Sequence, residues 1–221
     1  VISSPGRERV LKQFAIIGLG RFGEAVGTAL QSLGHEVLGV DKDPARTQAL
    51  ADVFTHVIQA DATQENVLED LGLSRLDAVV VAMGADIEAS TLITVRLKEL
   101  GVKRVVARAS SKIHGKVLAK VGADQVVFPE RDMGLRVATG LVNPNILEHF
   151  ELVPHYSVVE MKAPKFAVGR TLSQLNLRAR FGVNVILMRR GDKVNASPGA
   201  DDVIEEGDLL VVSGPDEGLR R

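Results

Sequence analysis

Six residues, Gly18-Leu19-Gly20-Arg21-Phe22-Gly23, follow a short apolar run, Phe14–Ile17, and open a segment with helical spacing. Glycine at the first, third and sixth places of such a loop suits the binding of a pyrophosphate. Gly18 would make the tight turn, Gly20 would let the backbone approach the phosphates, and Gly23 would let the helix pack closely on the strand. A helix starting there presents unpaired N–H groups and a partial positive charge. Asp41, with Lys42 after it, ends the next β-branched run. A carboxylate in that place takes ribose hydroxyls and repels a 2′-phosphate, which disfavours NADP. The set does not separate NAD from ATP or ADP, because all three carry an adenosine diphosphate with a free ribose.

Two residues lean toward a nucleoside phosphate. Arg21 lies inside the loop, where a guanidinium can fork onto phosphate oxygens; the alternative is a solvated first-turn arginine. Glu130, in Phe128-Pro129-Glu130-Arg131-Asp132, is a carboxylate near a phosphate site, sensible mainly with a divalent cation between them. Its alternative is an acid at the start of the following helix. Asp61-Ala62 and Ala82-Met83-Gly84 end the third and fourth strand-like runs, and carboxyl ends of strands are where open α/β sheets bind ligands. Asp61 is placed either to meet the adenine edge or a second ribose, or to cap the helix after it. Arg108 would add a second cation to the phosphates or form an ordinary surface ion pair.

Catalytic groups are not evident. A dehydrogenase needs an acid or base facing the nicotinamide. The single tyrosine, Tyr156, lies far along the chain, and the five histidines show no pairing or metal spacing. No G-x-x-x-x-G-K-[ST], G-x-S-x-G or H-E-x-x-H is present. The pattern favours a binding sensor over an enzyme.

The elements that must hold these residues alternate. Strand-like runs at Phe14–Ile17, Val37–Val40, His56–Gln59, Ala78–Ala82, Arg104–Ala107 and Gln125–Phe128 are short and β-branched, as in a sheet buried on both faces. Helical spacing fills Arg21–Ser32, Pro44–Ala51, Gln64–Leu71, Ile87–Leu100 and Ile113–Val121, with Gly34, Gly101 and Gly122 as left-handed stops and Asp43-Pro44 as a helix start. This is the α/β pattern of a Rossmann-type, doubly wound parallel sheet, expected over residues 13–142. A long helix over Arg131–Leu141 closes this domain, and after Asn143-Pro144 a second helical stretch near Ile146–Phe150 forms a helical crossover linker, 143–154. A small α+β C-terminal domain, 155–221, follows, with strands at Tyr156–Met161, Val183–Arg189 and Leu209–Ser213. At about 65 residues its core is marginal alone, so it is expected to dimerise.

Composition sets outer bounds. With 27 basic and 28 acidic side chains and a net charge of -1, nothing sequence-wide attracts nucleic acid. The absence of cysteine removes disulfide and thiolate chemistry and suits a reducing compartment. No run approaches the roughly 20 apolar residues of a membrane span, and the polar start is unlike a signal peptide.

Several longer blocks carry a family likeness. Gln13–Gly23, Ala85-Asp86-Ile87-Glu88-Ala89-Ser90-Thr91, Lys116–Asp124, Pro129–Gly134 and Leu177–Gly182 resemble regulator-of-potassium-conductance (RCK) domains. The particular likeness is to the TrkA-N plus TrkA-C modules of regulatory subunits in Ktr/Trk-type bacterial potassium uptake systems. It covers nearly everything from Gln13 to Gly214. One N-module and one C-module match the Ktr form; the related Trk subunits carry two such pairs. The resemblance implies a cytoplasmic homo-oligomer, an octameric ring of dimers, docked beneath a membrane-embedded potassium-translocating subunit. It implies that ATP and ADP compete for the site formed by Gly18, Gly20, Arg21, Gly23, Asp41, Asp61 and Arg108, with Mg²⁺ or Ca²⁺ held by Glu130 at a dimer interface. Asp61 stands where some relatives have asparagine. The family's C-module binds cyclic di-AMP between two protomers, and Arg178 and Asn184 match positions used for it. NAD(H) remains the alternative ligand, and a small NAD-dependent oxidoreductase the alternative class. Val1–Lys12 lie outside the likeness, with disorder one open reading.

Overall fold

The computed structural model describes residues 10–64 and 66–219, so the expectation for Val1–Lys12 falls largely outside them, as does Glu65 of the expected Gln64–Leu71 helix. Two compact units divide between Glu130 and Arg131. In the first, β1 (Gln13–Ile17), α1 (Arg21–Ser32), β2 (Glu36–Asp41), α2 (Pro44–Leu50), β3 (His56–Gln59) and α3 (Val67–Asp70) lead through a 3-10 turn, Leu73–Arg75, to β4 (Ala78–Val81). Then come α4 (Ile87–Glu99), β5 (Val105–Arg108), α5 (Lys112–Lys120) and β6 (Gln125–Val127), with α6 (Pro129–Val142) running on into the second unit.

Among the described residues these six strands form one parallel sheet in the order β3-β2-β1-β4-β5-β6. Strand pleating sends successive side chains to opposite faces. Ile17, Val79 and Val81 therefore pack with Ile93, Leu97 and Leu118 on one face, while Ile16 and Val80 pack with Leu50 and Phe54 on the other. Helices cover both faces, the doubly wound arrangement that the alternating pattern predicts. Burial on both faces holds for the central strands: all four residues of β4 are buried. It does not hold for β3 and β6, which lie at the sheet edges: β3 is largely open to solvent and β6 is half-buried.

The expected Gln64–Leu71 helix shrinks to the single turn of α3. The cause is local. The Asp61 carboxylate draws in the Thr63 N–H at 3.0 Å and its hydroxyl at 2.7 Å, and Asn66 is left-handed at φ 70°.

The second unit contains β7 (Ile146–Val153), β8 (Tyr156–Lys162), α7 (Leu172–Leu175), α8 (Leu177–Phe181), β9 (Asn184–Arg190), β10 (Lys193–Asn195), β11 (Leu209–Pro215) and α9 (Asp216–Leu219). Its sheet runs β10-β9-β11-β8-β7 with antiparallel neighbours. The helix expected near Ile146–Phe150, and with it the helical linker 143–154, is instead strand β7. It pairs with β8 across the Pro154-His155 turn, where His155 takes φ 67°. Ladder bonds to β8 outweigh local helical preference here, and that pairing is not visible in a short apolar run.

The core of this unit gathers Val159, Leu175, Met188, Ile204, Leu210 and Val212. Beside it the Arg190 guanidinium forks onto Asp208, Nε to Oδ1 at 2.8 Å and a terminal nitrogen to Oδ2 at 2.9 Å. Asp208 is fully buried and also accepts the Glu205 N–H at 2.8 Å. Arg190 holds its carboxyl below the usual range.

Candidate functional site

Strand order reverses between β1 and β4, so the loops leaving their carboxyl ends diverge and open a cleft. Its volume is about 530 Å³, and it is lined by the first glycine loop, the ends of β2 and β4 and Arg108 of β5. Gly18 turns at φ +93°, and its N–H bonds the Val40 carbonyl at 2.8 Å. A Cβ on Gly18 would lie 2.7 Å from Met83 Cγ, so that turn needs glycine for space as well as conformation. A Cβ on Gly23 would stand 2.0 Å from the Gly18 carbonyl oxygen, which puts α1 in direct backbone contact with the turn. Gly20 is different: a Cβ there meets nothing nearer than an Arg46 nitrogen at 4.0 Å. It is the N-cap of α1 and supplies no side-chain cap, which leaves the first N–H groups for another acceptor.

Asp41 is buried beside this turn. Its Oδ2 accepts the Leu19 N–H at 2.6 Å and its Oδ1 the Asp43 N–H at 2.9 Å. Arg46 Nη1 lies 3.4 Å from the same Oδ2. The carboxylate is thus oriented before any ligand arrives, with acceptor capacity left for a hydroxyl donor. Lys42 lines the cleft next to it. Asp61 and Ala62 form the adjoining wall; the Thr63 hydroxyl and N–H hold the Asp61 carboxyl below its usual range, and Lys42 adds to this. Ala82, Met83 and Gly84 form the opposite wall.

Arg108 reaches the cleft from the end of β5. One terminal nitrogen pairs with Glu130, and the guanidinium carbon lies 5.9 Å from the centre of the Phe22 ring. Its Nε is buried and has no hydrogen-bond partner among the described residues. A buried N–H left without an acceptor is costly, and an anion in the cleft would remove that cost. Glu130 sits in the first turn of α6 and its carboxyl is held down first by its own N–H, then by Arg108 and Arg21. Arg21 itself is exposed at the cleft. Most sequence-predicted residues therefore converge on one cleft, with Phe22 and Glu130 touching it through Arg108 and Gly23 setting the helix behind it.

Arg46 belongs to the same constellation, although no motif in the sequence marks it. Its signal is positional: it lies three residues after Asp43 on α2, with Nε 3.5 Å from the Asp43 carboxylate. The histidines also make contacts that spacing does not predict. His114, buried on α5, meets Ser90 Oγ of α4 at 2.9 Å, and burial lowers its pKa. His149 meets Ser157 Oγ at 3.0 Å, but that hydroxyl donates to Asp216 at 2.6 Å and is fully buried, so it is not a poised nucleophile.

Among the described residues no three His, Cys, Asp or Glu side chains cluster as a metal site. Glu130 could therefore give an ion one carboxylate, with phosphate oxygens or a second copy supplying the rest. In the second unit, Arg178 is exposed on α8 and Asn184 half-buried at the start of β9. Neither lines that unit's cavity of about 1030 Å³. No described helix is long and apolar enough to cross a membrane.

The TrkA-N domain model matches residues 14–129 and the TrkA-C domain model matches residues 157–221. The Ktr system potassium uptake protein C of Bacillus subtilis is 44% identical over 203 residues, 92% of each chain. The Ktr system potassium uptake protein A of the same organism is 40% identical over 210 residues, 95% of each. In fold, the chain is similar to the GsuK channel bound to NAD, with a TM-score of 0.66 at 19% identity. That likeness covers 96% of this chain and 39% of the other, so the chain spans well under half of the channel's length.

Proposed function

The chain belongs to the family that joins a TrkA-N to a TrkA-C domain and includes the Ktr potassium uptake proteins, and on that premise we propose that it regulates a potassium transporter by binding ATP or ADP in the first unit. The observation that carries the ligand is the cleft's division of labour. Asp41 is fixed beside the turn with acceptor capacity to spare, Gly20 leaves α1's first N–H groups open, and Arg108 holds a buried donor with no acceptor among the described residues. Arg21, Lys42, Arg46 and Arg108 line the same space together with Glu24, Asp41, Asp61 and Asp86, and the reading in favour of a nucleoside phosphate rests on Arg21 in the loop and on that Nε donor of Arg108. NAD(H) is the second reading, since Asp41 and the glycine turn accommodate its adenosine half equally. A small NAD-dependent oxidoreductase is the third, without an identified acid or base.

Mg²⁺ or Ca²⁺ would accompany ATP, with Glu130 as one oxygen ligand, and would neutralise phosphate charge there. The membrane-embedded Ktr/Trk subunit is the partner, and the chain acts from the cytoplasmic face as a ring of dimers. Cyclic di-AMP would bind between two second units, with Arg178 on a phosphate and Asn184 on polar atoms.

Calorimetric titration with ATP, ADP and NADH tests the ligand: saturable ATP and ADP binding is expected, and NADH binding alone would replace this reading with the second. Asp41→Ala strips the acceptor from Leu19 and Asp43, and ATP affinity is expected to fall about tenfold to a hundredfold. Arg21→Ala removes a cation that a third phosphate uses more than a second. The ATP/ADP affinity ratio is expected to fall about tenfold, and an unchanged ratio with binding retained would exclude that role.

A further inference from the structure

We propose that Arg108 reads ligand charge alongside Arg21, exchanging its pair with Glu130 for a terminal phosphate; this frees the Glu130 carboxylate and, where no divalent ion takes it up, releases the first turn of α6. This rests on the nucleotide reading above and adds to it a route out of the cleft.

The guanidinium of Arg108 is half used. One arm is on Glu130, while Nε is buried with no acceptor among the described residues. Nε and a terminal nitrogen form the parallel fork that takes two oxygens of one phosphate. A phosphate would satisfy the idle donor and the paired one together, whereas Glu130 satisfies only one. The stem is confined: a Cβ on Gly84 would lie 3.0 Å from Nε and 3.1 Å from Cδ, and Phe22 lies under the guanidinium. Confinement keeps the fork at the cleft, so the choice of partner is between the two anions within reach.

The two anions differ in what they lose. The Glu130 side chain is 65% exposed, so water can take over when Arg108 leaves. Its own N–H still supports the carboxylate, and Arg21 still acts on it. Only a ligand with a phosphate long enough to reach Arg108 drives the exchange, so ATP and ADP would have different effects on α6. That difference is what a ligand needs in order to shift a conformational equilibrium. Helix α6 continues into the second unit, which makes its first turn a suitable place for the signal to leave the site.

The test uses the full chain in EDTA, which removes any contribution of a divalent ion at Glu130. Glu130→Gln keeps shape but abolishes the competing charge, and the ATP/ADP affinity ratio is expected to rise about two- to fivefold, the range of an exposed ion pair. Hydrogen–deuterium exchange supplies the readout that a structural role would not move. In the unsubstituted chain ATP, and not ADP, is expected to speed exchange at residues 133–137, whose N–H groups bond the first-turn carbonyls of α6; in Glu130→Gln the two nucleotides are expected to give the same exchange. If both nucleotides bind but the ratio and the exchange pattern do not change with the substitution, the exchange of partners is wrong and the nucleotide site stands. If neither nucleotide binds the unsubstituted chain, both readings fall.

Discussion

Gly23→Ala is expected to abolish measurable ATP and ADP binding and to lower the melting temperature of the first unit by about 5–15 °C. The added methyl would stand 2.0 Å from the Gly18 carbonyl oxygen and 3.1 Å from Ile16 Cγ2. Neither a backbone carbonyl nor a fully buried isoleucine can give way like a flexible surface side chain, so α1 must lift from β1. Overpacking of this kind costs about 1–3 kcal/mol. The same movement carries α1's uncapped N–H groups off the line fixed by Gly18 and Asp41. Gly20→Ala provides the contrast. Its methyl enters open space, with nothing nearer than 4.0 Å, so the melting temperature is expected to stay within about 2 °C while binding is lost. Differential scanning calorimetry and titration of both variants separate the two effects. Retained binding in Gly20→Ala would mean that phosphate does not approach the backbone there.

What the residues reveal before folding depends on whether their partners are near in sequence. The phosphate turn is legible because Gly18, Gly20 and Gly23 solve a local problem within six residues, and the Asp41 position follows from strand length alone. The caps are legible for the same reason: Asp43 accepts the Ala45 N–H at 2.9 Å, as its place before Pro44 predicts. The edge positions of β3 and β6 are not legible, since a β-branched run reads the same at the centre of a sheet as at its margin. Strand β7 is not legible either: Ile146, Leu147 and Phe150 fit helical spacing, and the ladder to β8 that overrides it forms only after the turn at His155. Arg108 shows the limit most clearly. Its position at a strand end marks it as a candidate, but the pairing of one arm with Glu130, while Nε has no partner among the described residues, joins residues 22 positions apart that meet only when β5 and α6 are in place. Arg46 is hidden likewise, being an ordinary helix arginine until α2 swings it over Gly20.

The second large effect lies in the other unit, where Arg190→Gln is expected to lower its melting midpoint by on the order of 10 °C at pH 7. Asp208 has no exposed surface, so its charge depends on the two Arg190 nitrogens at 2.8 and 2.9 Å and on the Glu205 N–H at 2.8 Å. Glutamine cannot supply a forked cation, and a buried carboxylate left without one is a heavier loss than the pair is a gain. Arg190 also donates to the Val203 carbonyl at 3.0 Å and pairs with Glu205 at 2.6 Å, so its removal loosens the chain before β11 as well. The pH dependence distinguishes the charge effect from lost packing. In the unsubstituted chain Asp208's folded pKa lies below its unfolded value near 4, chiefly through the hydrogen bonds to Arg190. Its contribution is therefore present above that value and lost as pH falls through the folded pKa. In Arg190→Gln the buried carboxyl without its cation takes up a proton more readily, and protonation relieves the unpaired charge. The deficit of the variant should therefore narrow as pH falls from about 7 toward 4. Thermal melts across that range measure it directly, and a deficit of constant size would assign the loss to packing and to the Val203 and Glu205 contacts instead. Pairing Arg190→Met with Asp208→Leu should recover part of the stability at pH 7, because removing the buried Asp208 carboxylate as well leaves no buried charge without its cation.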